Sequence, residues 1–223
     1  VKQGDKTRIL QVSGGLRGVG VSLVTQLATS FVATVHHDKQ VWKRTYKIGK
    51  IQGAYQSYEL SEPRESGVII TFQPDFTIFD QNAFEYDRIA QRCRELAYLL
   101  PELTMTLIDE RDVQPRQDVF HYEDGIKALV HDLNQGKLPK HDILHKRNVL
   151  TYQDRGNRDY QIVVEVAFQY TDADDTIIHS FANTIESTDG GTHVDGFKHA
   201  LVAYLNADSN TEQDWNDLCA GLT

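Results

Sequence analysis

The sequence is poor in cysteine and has no long apolar run. Cys93 and Cys219 are its only cysteines in 223 residues, and they form neither a CxxC nor a Cys/His zinc spacing, which excludes a disulfide scaffold and a zinc module. No stretch approaches the ~18 apolar residues of a membrane span, and the first ten residues lack the apolar run of a signal peptide. We therefore expect no membrane partner and a location in the reducing cytoplasm.

Basic residues are outnumbered by acidic ones. The chain has 23 Lys and Arg against 32 Asp and Glu, a net charge of −9, which argues against broad clamping of phosphate backbones, although a local basic groove is compatible with it. Hydrophobic residues make up 40% and charged residues 25%, so disorder, collagen and coiled coil are excluded as descriptions of the whole chain. The length suits one large domain or two small ones.

The spacing of the apolar residues predicts an α+β protein. In the first half it predicts a helix after a glycine run at 14–20, strands at 31–36, 40–48 and 68–72, a helix at 82–100, strands at 104–108 and 118–121, and a helix at 123–134. Turns at 38–39 and 49 and the polar stretch 61–67 should separate the first three strands. In the second half it predicts a strand pair at 160–170 and 176–183, then helices at 194–206 and 212–221.

Residues 136–148 combine Gly, Pro and charge without periodicity. This composition is typical of a connector between domains.

The glycine run at 14–20 is the strongest local signal. Its glycines let successive backbone N–H groups turn toward one point, and the following helix adds its positive N-terminus, which together make a cradle suited to phosphates. A helix start without a ligand fits the spacing equally well. The run matches neither GxxxxGK[ST] nor a strand-borne GxGxxG with an acidic partner, which disfavours a P-loop or Rossmann site.

Five blocks in order resemble the B subunit of bacterial type II DNA topoisomerases, the family of DNA gyrase and topoisomerase IV. They are VSGGLRGVGVSLVTQL (12–27), GVIITFQPD (67–75), FEYDRIAQRCRELAYL (84–99), FHYEDGIKALVHDLN (120–134) and FANTIESTDGGTHVDGFKHAL (181–201). The resemblance implies the C-terminal part of a Bergerat-type (GHKL) ATPase sandwich over residues 1–140, then the first part of a transducer domain over 141–223. Block 120–134 is more similar to gyrase, whereas DWNDLCAGLT (214–223) is more similar to topoisomerase IV. Of the two, gyrase is slightly favoured.

The resemblance also implies an activity and its partners. In this family, ATP binding closes two B subunits as a gate around a DNA duplex, hydrolysis resets the gate, and a partner A subunit cleaves the strands. The cofactors would be ATP and Mg²⁺. The phosphate cradle would be formed by Gly15, Leu16, Arg17, Gly18, Val19 and Gly20.

Two positions depart from the family pattern. Arg17 stands where the family usually has His, and its permanent charge suits phosphate contact. Val68 stands where the family commonly has a Thr close to the adenine, so a hydroxyl is missing there, while Gly67 and Phe72 keep the strand pattern.

Several functional residues of the family have no counterpart in this sequence. The general-base Glu, the Mg²⁺-binding Asn and an Asp-Gly box would precede residue 1, and a transducer Lys would follow Thr223. Met105 is the only methionine and the chain starts at Val1, so we expect a piece of a larger polypeptide that does not hydrolyse ATP alone. The alternative function is a non-catalytic binding or assembly module with the same fold.

The remaining candidate residues favour structural roles. We interpret His36-His37 as a solvated hairpin, His121 as a structural hydrogen-bond partner, and Cys93 as core. A metal site at His141, Asp142 and His145 is disfavoured because loose connectors seldom fix ligand geometry. Asp172, Asp174 and Asp175 are interpreted as a hairpin turn, since the EF-hand spacing is missing. Gly190-Gly191-Thr192-His193 predicts a strand-to-helix turn, with Thr192 capping the helix.

Overall fold

The computed structural model describes residues 19–80, 84–153, 156–157, 159–207 and 213–223. It contains two compact units, which meet in the chain between Glu85 and Tyr86. The helices are α1 (Val19–Gln26), α2 (Tyr86–Leu99), α3 (Ile126–Leu133), α4 (Thr192–Asn206) and α5 (Trp215–Leu218). The strands are β1 (Ala28–Lys47), β2 (Lys50–Pro74), β3 (Met105–Asp109), β4 (Arg116–Phe120), β5 (Leu144–Gln153), β6 (Asp159–Phe168), β7 (Phe181–Ala182) and β8 (Ile185–Glu186). The predicted α+β class is confirmed.

The first unit consists of α1 and the antiparallel pair β1–β2. A two-residue turn joins the strands, and both of its residues have positive φ, 47° at Ile48 and 72° at Gly49. This is the backbone form of tight hairpins, and Gly49 adopts it without strain. The predicted turn at Gly49 is therefore confirmed.

Strand β1 bends back on itself. Ile48 donates its backbone N–H to the carbonyl oxygen of Ala28 over 2.9 Å, although 20 extended residues would span roughly 65 Å. The register is irregular on both sides of Asp38, whose φ is 55°. The predicted turn at 38–39 is thus present as a bend within one strand.

The polar stretch 61–67 does not separate strands, so the prediction of a break there is wrong. These residues lie inside β2, where Arg64 pairs with Asp38 and Gly67 pairs with His36. Backbone hydrogen bonds build the ladder here, so polar side chains on an exposed strand do not interrupt it.

The core of the second unit forms where α2 packs against the β3–β4 hairpin. Four residues of α2 and one of β4 form the buried cluster: Tyr86, Ala90, Cys93, Ala97 and Phe120. The spacings of four, three and four residues along α2 place these side chains on one face. The helix and Cys93 as core are confirmed, but the buried face consists mainly of small residues and not of the larger Leu side chains that mark the period in the sequence.

Strand β6 pairs with β5 along its whole length, from Leu144 with Phe168 to Gln153 with Asp159. The predicted pairing of 160–170 with 176–183 is therefore wrong, because β7 within the latter segment pairs with β8. Strand β5 was not predicted because its charged residues interrupt the apolar alternation that indicates a strand. A strand pair that is exposed on both faces needs no such alternation.

The end of the chain packs beside the end of β6. Gln169 and Thr223 exchange both backbone hydrogen bonds, at 2.8 and 3.0 Å, and Asp172 donates its N–H to Leu138 O at 2.9 Å. The predicted boundary at residue 140 therefore falls inside the second unit. As a division between domains of a longer protein, it stays a prediction.

Helices α4 and α5 begin differently. The GGTH turn precedes α4 as predicted, with φ of 76° at Gly190 and 140° at Gly191. Thr192 is already the first helical residue and makes no capping bond, so its predicted role as cap is wrong and Gly191 occupies that position. Asp214 caps α5 through a reciprocal bond with Asp217. Within the described residues, no helix is long and apolar enough to cross a membrane.

Candidate nucleotide-binding site

The described part of the chain opens with helix α1 at Val19, which lies within the glycine run 14–20. Of the six residues predicted to form the phosphate cradle, Gly15, Leu16, Arg17 and Gly18 lie outside the described residues. Val19 and Gly20 form the start of the helix and are exposed. The first N–H groups of a helix have no partner within it and carry partial positive charge. The predicted helix is confirmed over Val19–Gln26, whereas the role of the glycine run in binding stays a prediction.

The other end of α1 is held by the β1–β2 turn. Gly49 donates its N–H to Thr25 O over 2.9 Å, and a Cβ on Gly49 would lie 3.0 Å from Gln26 Cγ. A larger residue would therefore meet both a positive φ and a crowded neighbour. This contact fixes the helix relative to the sheet and so orients its N-terminus.

The strand that the resemblance places near adenine is the last part of β2. Val68 pairs with Val35, and its side chain is 64% exposed. Phe72 pairs with Phe31 and meets the ring of Phe84 edge-on, with centroids 6.1 Å apart. An apolar side chain at position 68 can offer packing, but no hydrogen bond, to a ligand on this strand.

A cavity of about 430 Å³ opens beside the same strand. Its lining consists of His36, Arg64, Glu65, Gly67, Val68 and Ile69. His36 is only 9% exposed, and its buried Nδ1 has no hydrogen-bond partner. The interpretation of this residue as part of a solvated hairpin is therefore wrong, because His36 is buried and pairs with Gly67 inside the β1–β2 ladder.

The sequence does not indicate that two of the cavity residues belong to a binding site. Arg64 and Glu65 belong to the polar stretch 61–67, whose composition predicts a loop. The unpaired Nδ1 of His36 and the guanidinium of Arg64 are polar groups that a ligand could engage. His37, by contrast, already has a partner in Ser66, whose Oγ lies 3.0 Å from Nδ1.

The two connector histidines have separate local partners. His141 accepts the N–H of Tyr170 at Nε2 over 3.0 Å, so its proton lies on Nδ1, which donates to Asp142 O over 2.6 Å. His145 pairs with Glu165 at 2.9 Å. In the part of the chain that the structure describes, no group of three or more His, Cys, Asp or Glu residues could hold a metal ion.

Other polar candidates have structural partners. His121 Nδ1 lies 3.2 Å from Leu103 O, which confirms the predicted structural hydrogen bond. Asp172 accepts the N–H of Leu138 over 2.8 Å and so ties the segment after β6 to the segment before β5.

Comparison with known proteins places this fold among topoisomerase subunits. Residues 125–218 match the family model of DNA gyrase B. The chain is 38% identical to the B subunit of DNA gyrase from Clostridium acetobutylicum over 196 residues, which cover 88% of the chain and 29% of that protein. It is 36% identical to the B subunit of DNA topoisomerase 4 from Staphylococcus epidermidis over 223 residues, covering 96% of the chain and 32% of that protein. The chain thus spans about a third of the length of these curated relatives.

Solved structures agree with the sequence matches. The 43K ATPase domain of Thermus thermophilus gyrase B, determined in complex with an aminocoumarin, superposes with a TM-score of 0.72 at 27% identity, covering 92% of this chain and 56% of that one. The B-subunit of the DNA gyrase from Myxococcus xanthus gives 0.70 at 26% identity, covering 88% and 56%.

Proposed function

This chain belongs to the family of DNA gyrase and topoisomerase IV B subunits, and on that basis we propose that it is part of the ATP-binding subunit of an ATP-dependent type II DNA topoisomerase. The observation that carries this proposal is the continuous similarity to both kinds of B subunit over most of the chain. The similar solved structures include a gyrase ATPase domain. The similarity of residues 120–134 to gyrase slightly favours gyrase over topoisomerase IV.

The chain's own contribution to nucleotide binding would be the phosphate cradle. Backbone N–H groups at 15–20 and the first turn of α1 would receive the triphosphate, with Arg17 as an added cation. The anchoring of α1 by Gly49 would keep the N–H groups of the first turn of the helix oriented. Gly67 and Val68 would line the adenine side.

The reaction itself needs groups that this sequence does not supply. A general base must lie within hydrogen-bond reach of the attacking water, and Mg²⁺ needs oxygen ligands. Both would be provided upstream of residue 1, and Mg²⁺ when bound would neutralise phosphate charge. The residues of this chain bind and orient the phosphates.

The proposed partners follow from the same family. They are duplex DNA, a topoisomerase A subunit, and a second B subunit that dimerises with the first on ATP binding. The cytoplasm is the proposed location.

A non-catalytic module with the same fold is the second candidate function. It is favoured by Arg17 and by Val68, which places an exposed apolar side chain where the family commonly has a hydroxyl. The upstream reading frame separates the two candidates. An Asn and a Glu on one helix about a hundred residues before Gly14, with an Asp-Gly box, support the enzyme, and their absence supports the module.

Phosphate release with Mg²⁺ and ATP tests the proposal directly. We expect no turnover from the 223-residue chain and turnover from the protein that includes the upstream segment. Turnover by the short chain that disappears on substitution within 15–20 would show that a base lies within this sequence.

The domain division at residue 140 is proposed with the function. Limited proteolysis tests it, because exposed connectors are preferred cleavage sites. Cleavage within 136–148 before cleavage within α2 supports the division, and the opposite order overturns it.

A further inference from the structure

The cavity of about 430 Å³ lies at a bulge in the β1–β2 ladder. Between the pairs Asp38–Arg64 and His36–Gly67, two residues of β2 face one residue of β1. Such an extra residue bends the bulged strand and re-aims the side chains next to it. Consecutive side chains of a regular strand point to opposite faces, yet Arg64 and Glu65 both line this cavity. The bulge therefore brings two oppositely charged neighbours to one site.

The bulge is held by its own hydrogen bond. His37 Nδ1 lies 3.0 Å from Ser66 Oγ, which is one of the two extra-paired residues of β2. Gly67 keeps the space above the bulge open, because it carries no side chain and a Cβ there would meet no heavy atom within 4 Å. The cavity is thus formed by the backbone before any ligand enters it, which lowers the cost of binding.

The two charges at the cavity have no partner. In the part of the chain that the structure describes, Arg64 and Glu65 form no ion pair with each other or with any other residue. Both side chains belong to exposed residues, so a ligand can reach them. A site with one positive and one negative group has no net attraction for a simple anion or a simple cation. A ligand that carries both charges satisfies both groups.

The remaining lining is mainly apolar. Val68 and Ile69 are 64% and 53% exposed and both line the cavity. The buried imidazole of His36 forms another part of the wall. Small-molecule sites typically combine an apolar lining with a few polar groups in a volume of roughly 300–1,000 Å³. The lining therefore matches a small molecule that has an apolar body next to two opposite charges.

We propose that this cavity binds a free α-amino acid with an apolar side chain. Arg64 binds its carboxylate, Glu65 binds its ammonium group, and Val68 and Ile69 pack against its side chain. A guanidinium suits the carboxylate because its parallel N–H groups match the two oxygens. The site uses none of the residues 15–20 of the proposed phosphate cradle. Amino-acid binding can therefore fail while the proposed function stands, and the ATPase assay bears only on the latter.

An NMR titration of the nitrogen-15-labelled 223-residue chain with L-leucine tests the proposal. A ligand of this size should bind with a Kd on the order of 1 mM, so the titration extends to about 20 mM. The amide signals of residues 64–69 should shift and saturate. Unchanged signals in the second unit would show that the fold persists.

Two analogues of leucine each remove one charge. Leucinamide keeps the ammonium group and lacks the carboxylate, whereas N-acetyl-leucine keeps the carboxylate and lacks the ammonium group. Each should bind about three- to tenfold more weakly than L-leucine, a factor between that of an exposed ion pair and that of a charge-assisted hydrogen bond.

Two variants assign each charge of the ligand to its partner. Arg64→Gln should weaken the binding of L-leucine and N-acetyl-leucine and leave that of leucinamide unchanged. Glu65→Gln should weaken the binding of L-leucine and leucinamide and leave that of N-acetyl-leucine unchanged. Glu62→Gln is the matched control, because Glu62 is exposed on the same strand but does not line the cavity. It should leave the affinity for all three ligands unchanged.

The crossed pattern of ligands and variants would support the proposal. It would be overturned if L-leucine shifted none of the amides at 64–69, if the three ligands bound equally well, or if Arg64→Gln weakened leucinamide as much as L-leucine. Adenosine is titrated in parallel, because Gly67 and Val68 also belong to the proposed adenine side. Shifts at 64–69 with adenosine and none with L-leucine would assign the cavity to the nucleotide and overturn the proposal.

Discussion

Gly221 approaches the backbone of Thr171 so closely that a Cβ on Gly221 would lie 2.5 Å from Thr171 O. The same hypothetical atom would lie 2.6 Å from Ala173 O, and the φ of Gly221 is 77°. Thr171 donates its N–H to Gly221 O over 2.8 Å, so the approach is part of a hydrogen-bonded pairing. Both obstacles are backbone atoms, which cannot rotate away.

Gly221→Ala should therefore lower the free energy of unfolding by at least ~2 kcal/mol, since a strained φ alone costs roughly 1–3 kcal/mol. Urea denaturation followed by circular dichroism measures the change. Gly196→Ala is the matched control, because Gly196 lies within α4 and a Cβ there meets no atom within 4 Å. The control should raise stability by about 0.5–1 kcal/mol. Equal effects of the two substitutions would contradict the argument.

The phenol of Tyr98 joins α2 to α3. Tyr98 is 3% exposed and donates its O–H to the carboxylate of Asp132, while its ring stacks on Tyr122 with centroids 4.0 Å apart. Tyr98→Phe keeps the stacking and loses the hydrogen bond, so we expect a loss of roughly 1–2 kcal/mol in unfolding free energy. Tyr204→Phe, at a position 79% exposed, should change stability by less than about 0.5 kcal/mol. Similar losses of unfolding free energy in the two variants would show that the Tyr98–Asp132 hydrogen bond does not stabilise the fold.

Tyr170 predicts an alkaline loss of stability. Burial, reinforced by the neighbouring Cys219, raises the pKa of Tyr170 to about 12, and its O–H donates to Leu218 O over 2.9 Å. A folded pKa above the unfolded value of about 10 contributes stability that is complete below about pH 10 and lost as pH rises through about 12. Urea denaturation between about pH 9 and 12 should therefore show a smaller alkaline loss for Tyr170→Phe than for the unchanged protein. The control Tyr204→Phe should follow the unchanged protein, and a Tyr170→Phe curve with an equally large loss would rule out this contribution.

Arg17 lies outside the described residues, and its phosphate contact remains a prediction from the sequence. A charge-assisted hydrogen bond contributes roughly 1.5–3 kcal/mol, so Arg17→Ala in the protein with its upstream segment should weaken ATP binding about ten- to a hundredfold. The loss should shrink at high salt. Arg17→His, which restores the usual residue of the family, should bind better than Arg17→Ala. If calorimetry at low salt gave Arg17→Ala and the unchanged protein equal affinity for ATP, the backbone amides alone would form the cradle.

Local chemistry makes several elements predictable. The period of apolar residues and Pro101 locate α2, which ends at Leu99. The turn-forming residue types at Asp38 and Gly49 locate the bends, where both residues have positive φ. The apolar spacing after the glycine run also predicts α1, which the structure describes over Val19–Gln26. These features depend on residues within a few positions of each other, so the sequence carries their signal directly.

Strand pairing is less predictable. Strand β6 pairs with β5 and not with the segment after it, and the polar stretch 61–67 continues β2. The hydrogen bonds of a ladder join backbone groups that every residue has, so exposed strands give little sign of their partners.

The sequence by itself determined the family, the α+β class and the glycine run at 14–20, because motifs and periodicity are properties of consecutive residues. Only the tertiary structure decided that His36 is buried beside Arg64 and Gly67 in a cavity, and that Lys47 stands opposite Lys50. Those relationships depend on the bend of β1 and on the register of β2. A register shift of a single residue would have turned each of these side chains to the other face of the sheet.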